Sequence, residues 1–254
     1  MKLVVLGSGT SVPHPRRAAP GYWLETPNGT LLLDAGTDVL HRMAEEDLAW
    51  QDLDAIWISH FHLDHVGGLA PFLFGVRWAP QIQGRQKPLR IFGPKGLQQL
   101  IGTINEARSY KLLQQSFPVE IIEVGPKEEF LILPAVKAVT LSTPHTSESL
   151  AIRLTGPNDK TLVYTSDTGC ADDLTSFAHR VTLLVLECSF RRNKPVETHL
   201  ELSEAMQTVA SCGPEAALLT HLYPEWDSYS LSAEAAALWS GKTIEAIDGL
   251  RLEL

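Results

Sequence analysis

The chain has little cysteine. Cys170, Cys188 and Cys212 are the only three in 254 residues, they lie far apart, and no C-x-x-C pair occurs. An odd, sparse set argues against a disulfide framework and against a zinc ribbon, and the three are expected as small buried side chains. Positive charge is also scarce: Lys plus Arg number 21 against 30 for Asp plus Glu, a net charge of −9. That balance argues against the broad cationic surface that long nucleic acids select. No apolar run approaches the roughly 20 residues of a membrane span, so no membrane partner is expected. Met1-Lys2-Leu3-Val4-Val5-Leu6-Gly7 is short and lacks a signal-peptide cleavage pattern; it reads as a first strand, with the cytoplasm as the expected compartment. No Pro/Gly/Ser linker, charge block or short-period repeat divides the sequence.

What is present is the composition of a soluble globular protein, 44% hydrophobic and 20% charged. The length allows one large α/β domain with a full core. One stretch dominates, Ser59-His60-Phe61-His62-Leu63-Asp64-His65-Val66-Gly67-Gly68. It follows the apolar run Asp54-Ala55-Ile56-Trp57-Ile58, which reads as a buried strand. His60 and His62 are two apart, so in extended backbone they project to one side. Asp64 and His65 come next, where the chain would turn toward a helix. Imidazole nitrogens mixed with a carboxylate suit Zn²⁺, and also Mn²⁺ or Fe²⁺. The chain has nine histidines, and three of them within six positions fit poorly with chance.

Strands are expected over residues 2–6, 21–26, 30–33, 54–59, 89–92, 119–124, 130–133, 136–141, 150–155, 161–165, 181–186, 216–219, 243–246 and 250–254. Helical spacing is read over 37–47, 68–78, 171–179, 201–211 and 232–239, and from Gly96 to about Ile104 with an extension over 110–115. Thr198 or Ser203 is the expected cap of the helix near 201. The loop Gly7-Ser8-Gly9-Thr10-Ser11, beside Arg16-Arg17, allows two readings: amides that hold a phosphate or oxyanion, or a tight inter-strand turn. Asp34 reads as support for a site or as an ordinary turn cap. His60, His145, Asp167, Glu187 and His221 each follow an apolar strand-like run. If two sheets pack with those strand ends at one edge, all five meet on one rim.

The His-x-His-x-Asp-His run resembles that of the metallo-β-lactamase superfamily. The resemblance implies an α/β (α+β) chain folded as a four-layer αββα sandwich, one domain over 1–254 built of two pseudo-equivalent halves. Three further stretches are similar to the ribonuclease Z-like phosphodiesterase branch. They are Leu6-Gly7-Ser8-Gly9-Thr10, then Tyr164-Thr165-Ser166-Asp167-Thr168, and the set Leu186-Glu187-Cys188-Ser189-Phe190, Thr198-His199-Leu200 and Leu219-Thr220-His221. The resemblance implies two divalent metal ions, zinc first with manganese or iron as alternatives. His60, His62 and His145 would bind one, Asp64, His65 and His221 the other, and Asp167 would bridge. A hydroxide between the ions would attack phosphorus, with Asp64 or Asp167 holding it. His199 would protonate the leaving oxygen, and Glu187 would orient His199.

One departure shapes the substrate expectation. Transfer-RNA-processing members of that branch carry a long Gly/Pro-rich arm, whereas Gly93 to Val119 here leaves room for a helix or two. Lys87, Arg90, Lys95, Arg108 and Lys111 are scattered, and phosphate contacts to RNA need clustered cations. A small phosphodiester, such as a cyclic nucleotide or cyclic phosphate, is the favoured substrate. Transfer-RNA 3′ processing, with an arm supplied by a partner subunit, is the alternative. Hydrolysis of a thioester or lactone in the same cleft, and metal binding without turnover, are the readings from other classes. A homodimer is expected by analogy with related enzymes.

Overall fold

The computed structural model describes residues 1–254. Its first half forms β1 (Lys2–Gly7), β2 (Gly21–Thr26), β3 (Gly29–Leu33), α1 (Val39–Glu45), β4 (Ala55–Trp57), α2 (Leu63–Val66), α3 (Leu69–Val76), β5 (Leu89–Pro94), α4 (Leu97–Glu106) and β6 (Val119–Val124). The second half forms β7 (Glu129–Leu133), β8 (Val136–Ser142), β9 (Leu150–Thr155), β10 (Thr161–Tyr164), α5 (Asp172–Phe177), β11 (Leu183–Glu187), α6 (Leu202–Cys212), β12 (Ala216–Thr220), α7 (Leu231–Leu238), β13 (Lys242–Glu245) and β14 (Arg251–Glu253).

The strands make two seven-stranded sheets, ordered β14-β1-β2-β3-β4-β5-β6 and β13-β12-β11-β10-β9-β8-β7. In each half an antiparallel meander gives way to parallel strands: β3, β4, β5 and β6 run parallel in one sheet, β10, β11, β12 and β13 in the other. Parallel strands need crossovers, and the helices supply them. Strands covered on both faces read as continuous apolar runs, and β11 (Leu183-Leu184-Val185-Leu186-Glu187) is buried at every residue.

Alternation along each strand sorts its side chains into layers. Leu3, Val5, Tyr22, Leu33 and Trp57 of the first sheet pack against Ile152, Leu154, Leu162, Tyr164 and Val185 of the second. The opposite faces, among them Val4, Trp23 and Ile56, meet Val39, Met43, Phe72 and Leu97 of α1, α3 and α4. On the far side Val163, Leu184 and Leu219 meet Leu174, Met206 and Leu231 of α5, α6 and α7. These layers make the four-layer αββα sandwich that the resemblance implies. Truncating a fully buried aromatic such as Trp23 would cost about 3–5 kcal/mol.

Several expectations need correction. Residues 110–115 do not extend α4; a 3-10 turn over Ala107–Ser109 follows it, and Arg108, Ser109 and Lys111 adopt positive φ, which ends helical geometry. Neither Thr198 nor Ser203 caps α6. Glu201 does, in a reciprocal capping box with Glu204. Cys170 is exposed, although Cys188 and Cys212 are buried as expected. The loop after β1 is not a free anion cradle, because the Ser8 amide donates to Asp248 and the Gly9 amide to the Ala18 carbonyl, both at 2.9 Å. Arg17 beside it is held by Glu245 at 2.9 Å. The loop stitches the start of the chain to its end.

Candidate metal centre

The ends of β3, β4, β8, β10, β11 and β12 bring Asp34, His60, His145, Asp167, Glu187 and His221 to one rim of the two sheets. Three turns there place a non-glycine residue in left-handed backbone: Asp34 (φ 56°), Ser166 (φ 53°) and His221 (φ 56°). Such conformations cost about 1–3 kcal/mol each and persist only where the surroundings enforce them. Beneath the His60–His65 loop the backbones nearly touch. The Gly68 amide donates to the Ala35 carbonyl, and a Cβ on Gly68 would fall 2.2 Å from the Gly36 carbonyl oxygen. Only glycine fits that position.

Two donor groups face each other across Asp167. Ligand atoms of His60, His62, His145 and Asp167 lie within 4.8 Å of one another, and so do those of Asp64, His65 and His221. Asp167 Oδ2 stands 3.8 Å from His60 Nε2 and 3.5 Å from His145 Nε2. Its other oxygen, Oδ1, stands 3.3 Å from both His65 Nε2 and His221 Nε2. Asp64 Oδ2 lies 3.7 Å from His65 Nε2 and 3.5 Å from His221 Nε2. The structure thus brings together all seven residues expected as ligands.

The fit to cations can be judged from the protein atoms. His60 Nε2, His65 Nε2, His221 Nε2 and Asp167 Oδ1 are buried with no hydrogen-bond partner. An orphaned buried polar atom costs about 1–3 kcal/mol, so four converging on one space are a poor structural bargain without an occupant. Imidazole nitrogens with carboxylate oxygens form the donor set that divalent transition ions take.

Supporting groups fix which ring nitrogen is bare. His65 Nδ1 donates to Asp34 Oδ2 at 2.7 Å. Asp34 also accepts from the Ser59 amide (2.7 Å), the Ser59 hydroxyl (2.8 Å) and the Tyr164 phenol (2.6 Å). The Ser59 hydroxyl hydrogen is therefore engaged by Asp34, and its oxygen accepts from His60 Nδ1 at 3.0 Å. His145 Nδ1 donates to the Thr198 carbonyl at 2.9 Å. Each bond occupies Nδ1 and leaves Nε2 turned toward Asp167, with His145 Nε2 also 3.0 Å from His62 Nδ1.

Charge states follow from the same contacts. Burial would raise the Asp167 carboxyl, but His221 and His65 hold it well below the usual carboxylate range. Burial would likewise raise Asp64, and His221 and His65 bring it down to about 2. Burial, then the charge of His65, drives the His60 imidazole down to about 2, so it stays neutral and able to ligate. Burial would also lower His65, but Asp167 and Asp34 hold it well above its ordinary value.

His199 and Glu187 form a buried pair beside the two groups, and a His199 ring nitrogen lies within 4.8 Å of the ligand atoms of Asp167 and His221. His199 Nδ1 donates to Glu187 Oε1 at 3.0 Å, and the ring stacks on that of His221 at 5.3 Å between centroids and meets that of His145 edge-on at 4.8 Å. Burial would lower the His199 imidazole, and Glu187 outweighs it, leaving the group above its ordinary value. A cavity of about 500 Å³ opens beside Asp64, walled by Thr10, Ser11, His14, Thr37 and Leu63. Sequence reasoning did not assign Ser59, Ser166, Tyr164 or Ser189 to the site. Ser59, next to His60, and Ser189, two residues after Glu187, carried a positional signal; Tyr164 is an ordinary aromatic at a strand end.

Comparison with known proteins places this geometry. The chain is 28% identical over 244 residues to the uncharacterized protein Rv1339 of Mycobacterium tuberculosis, covering 95% of this chain and 88% of that one. It is 27% identical over 253 residues to the probable metallo-hydrolase YhfI of Bacillus subtilis, covering 98% of each. The crystal structure of YhfI, a metallo-β-lactamase fold protein, superposes with a TM-score of 0.82 at 26% identity over 99% of both chains. Human tRNase Z, short form, shares the fold with a TM-score of 0.80 at 20% identity, covering 100% of this chain and 99% of that one. The chain is a metallo-hydrolase of the metallo-β-lactamase fold, and it belongs to the family described as Anti-Pycsar protein Apyc1, whose model matches residues 1–241.

Proposed function

We propose that the protein is a phosphodiesterase acting on a small or cyclic phosphodiester, such as a cyclic nucleotide. The observation that carries this reading is the carboxylate of Asp167, with one oxygen toward each donor group and the Glu187–His199 pair alongside. His60, His62 and His145 would hold one divalent ion, Asp64, His65 and His221 a second, and Asp167 would touch both. Zinc suits this donor set, with manganese or iron as alternatives. Bound there, the cations would acidify water and neutralise charge gathering on a phosphoryl group.

The protein's own groups do the rest. Asp64, at the wall of the 500 Å³ cavity, accepts a hydrogen bond from the attacking water and sets its direction. Glu187 holds the Nδ1 proton of His199, so the second nitrogen presents a proton to the departing oxygen. A raised imidazole is suited to that task near neutral pH, because it carries the proton to be given. The pair has no evident use in thioester or lactone hydrolysis.

Several relatives are named ribonuclease Z, and RNA is the second reading. The alignment with the Thermobifida fusca ribonuclease Z spans 303 positions, longer than the 254 residues here, so that relative has inserted segments this chain lacks. Between β5 and β6 there is α4 and a single turn, with no arm. Lys87 is tied to Asp54 and Arg85 to backbone carbonyls, so neither is free for a phosphate backbone. These features favour a small substrate. The test is one metal-replete preparation assayed on bis-p-nitrophenyl phosphate, cyclic mononucleotides, precursor tRNA and a glutathione thioester. Turnover of the first two is expected; cleavage of tRNA or thioester alone would reject the proposal.

A further inference from the structure

The two halves of the molecule repeat one device. In the first, Asp34 binds one imidazole directly, His65 at 2.7 Å, and a second through a serine, His60 by way of Ser59. In the second, Glu187 binds His199 directly at 3.0 Å and reaches His221 through Ser189. The parallel has a difference. Both imidazoles served by Asp34 belong to the ligand groups, whereas Glu187 serves one ligand residue and the candidate acid.

We propose that Ser189 is a positioning residue: it fixes which nitrogen of His221 is bare and ties that choice to the carboxylate that holds His199. This rests on the metal-centre reading above. The proton bookkeeping leaves one arrangement. Glu187 is surrounded by donors. Its Oε1 accepts from the Thr168 amide at 2.6 Å and from His199 Nδ1 at 3.0 Å. Its Oε2 accepts from the Leu200 amide at 3.0 Å and from the Ser189 hydroxyl at 2.5 Å. Two backbone N–H groups therefore pin the carboxylate, one on each oxygen, and it cannot rotate without losing both.

Ser189 has one proton, and Glu187 takes it. Toward His221 Nδ1, 2.9 Å away, the hydroxyl oxygen can then only accept. His221 must carry its proton on Nδ1, and Nε2, buried and without a partner, is left bare toward Asp64 and Asp167. Ser189 is itself fully buried, so no bulk water stands ready to replace its oxygen. Without the hydroxyl, His221 Nδ1 would face an apolar methyl and the ring would lose its preference for the tautomer that ligates. Such supporting contacts are typically worth about 10–100-fold in metal affinity.

The test reads the protein's own proton first. Nitrogen-15 NMR of the metal-free, imidazole-labelled chain should show His221 with its proton on Nδ1. An unprotonated Nδ1 in the unaltered protein overturns the proposal before any variant is made. Ser189→Ala should give a mixed tautomer and an affinity for Zn²⁺ weaker by about 10–100-fold, while Ser189→Thr, which keeps the oxygen, restores both. A Ser189→Ala protein with unchanged tautomer and unchanged zinc affinity rejects the proposal. If the unaltered chain binds no zinc, manganese or iron, the metal-centre reading fails, and the tautomer measurement still decides the role of Ser189.

Discussion

The Tyr164 phenol donates a 2.6 Å hydrogen bond to Asp34 Oδ2, joining residues 130 positions apart at the floor of the candidate site. Tyr164 ends β10 of the second sheet and Asp34 follows β3 of the first, so one bond crosses between the sheets. Both groups are buried, and Asp34 is the carboxylate that orients His65.

Tyr164→Phe keeps the ring in the core and removes only this donor. Hydrogen bonds to charged groups contribute about 1.5–3 kcal/mol, and a loss of that order is expected in urea unfolding of the metal-free protein. Since Asp34 retains Ser59 and His65, the fold itself should persist.

His62→Ala removes one donor from the group formed with His60, His145 and Asp167. Metal content by elemental analysis and turnover of bis-p-nitrophenyl phosphate should fall together, without loss of circular-dichroism signal. Chelation of the unaltered protein should lower the melting temperature, and metal at 100 times its dissociation constant should return about 2.7 kcal/mol. Full turnover by a His62→Ala protein that has lost its metal would refute the two-ion reading.

His199→Ala should lower turnover by about 10²–10⁴-fold, the usual worth of a positioned acid, with metal content unchanged. The effect should shrink on substrates with a leaving group that needs no proton, such as p-nitrophenolate. Equal losses on both kinds of substrate would count against a proton-donor role.

Asp64 gives a pH signature in the metal-free protein. Its carboxyl is held at about 2 in the fold against 3.8 when unperturbed, so below pH ~4 the unfolded chain binds the extra proton. The stability this group contributes is present above pH ~4 and is lost as pH falls toward 2. Asp64→Asn should therefore be less stable than the unaltered metal-free chain at pH 6, by about 2 kcal/mol, and the gap should close near pH 2. A gap independent of pH would mean the carboxylate charge is not the cause.

Some of this molecule is written in short-range pattern. The His60–His65 spacing and the wholly apolar run at 183–186 depend on neighbours a few residues away, and local pattern reads them directly. The order of His145, Asp167 and His221 after apolar runs was legible too, because strand ends punctuate the sequence. The sequence could not settle the loop after β1. Whether the amides of Ser8 and Gly9 are free depends on Asp248 and Ala18, and Asp248 lies 240 positions from Ser8. Likewise the cap of α6 fell to Glu201 rather than to the residues with stronger intrinsic preference, since Glu204 could reach back to it.

By itself, then, the sequence determined the element types and the side chains able to ligate, because each follows from local periodicity or from residue chemistry, and it made the layered fold legible through the resemblance its motifs carry. Only the tertiary structure decided how those side chains are aimed. The bare nitrogens of His60, His65 and His221 are chosen by Ser59, Asp34 and Ser189. Asp167 divides its two oxygens between groups drawn from both sheets. Hydrogen-bond direction depends on which donors meet in space, and residues as distant as 34 and 164 meet only once the two sheets have packed.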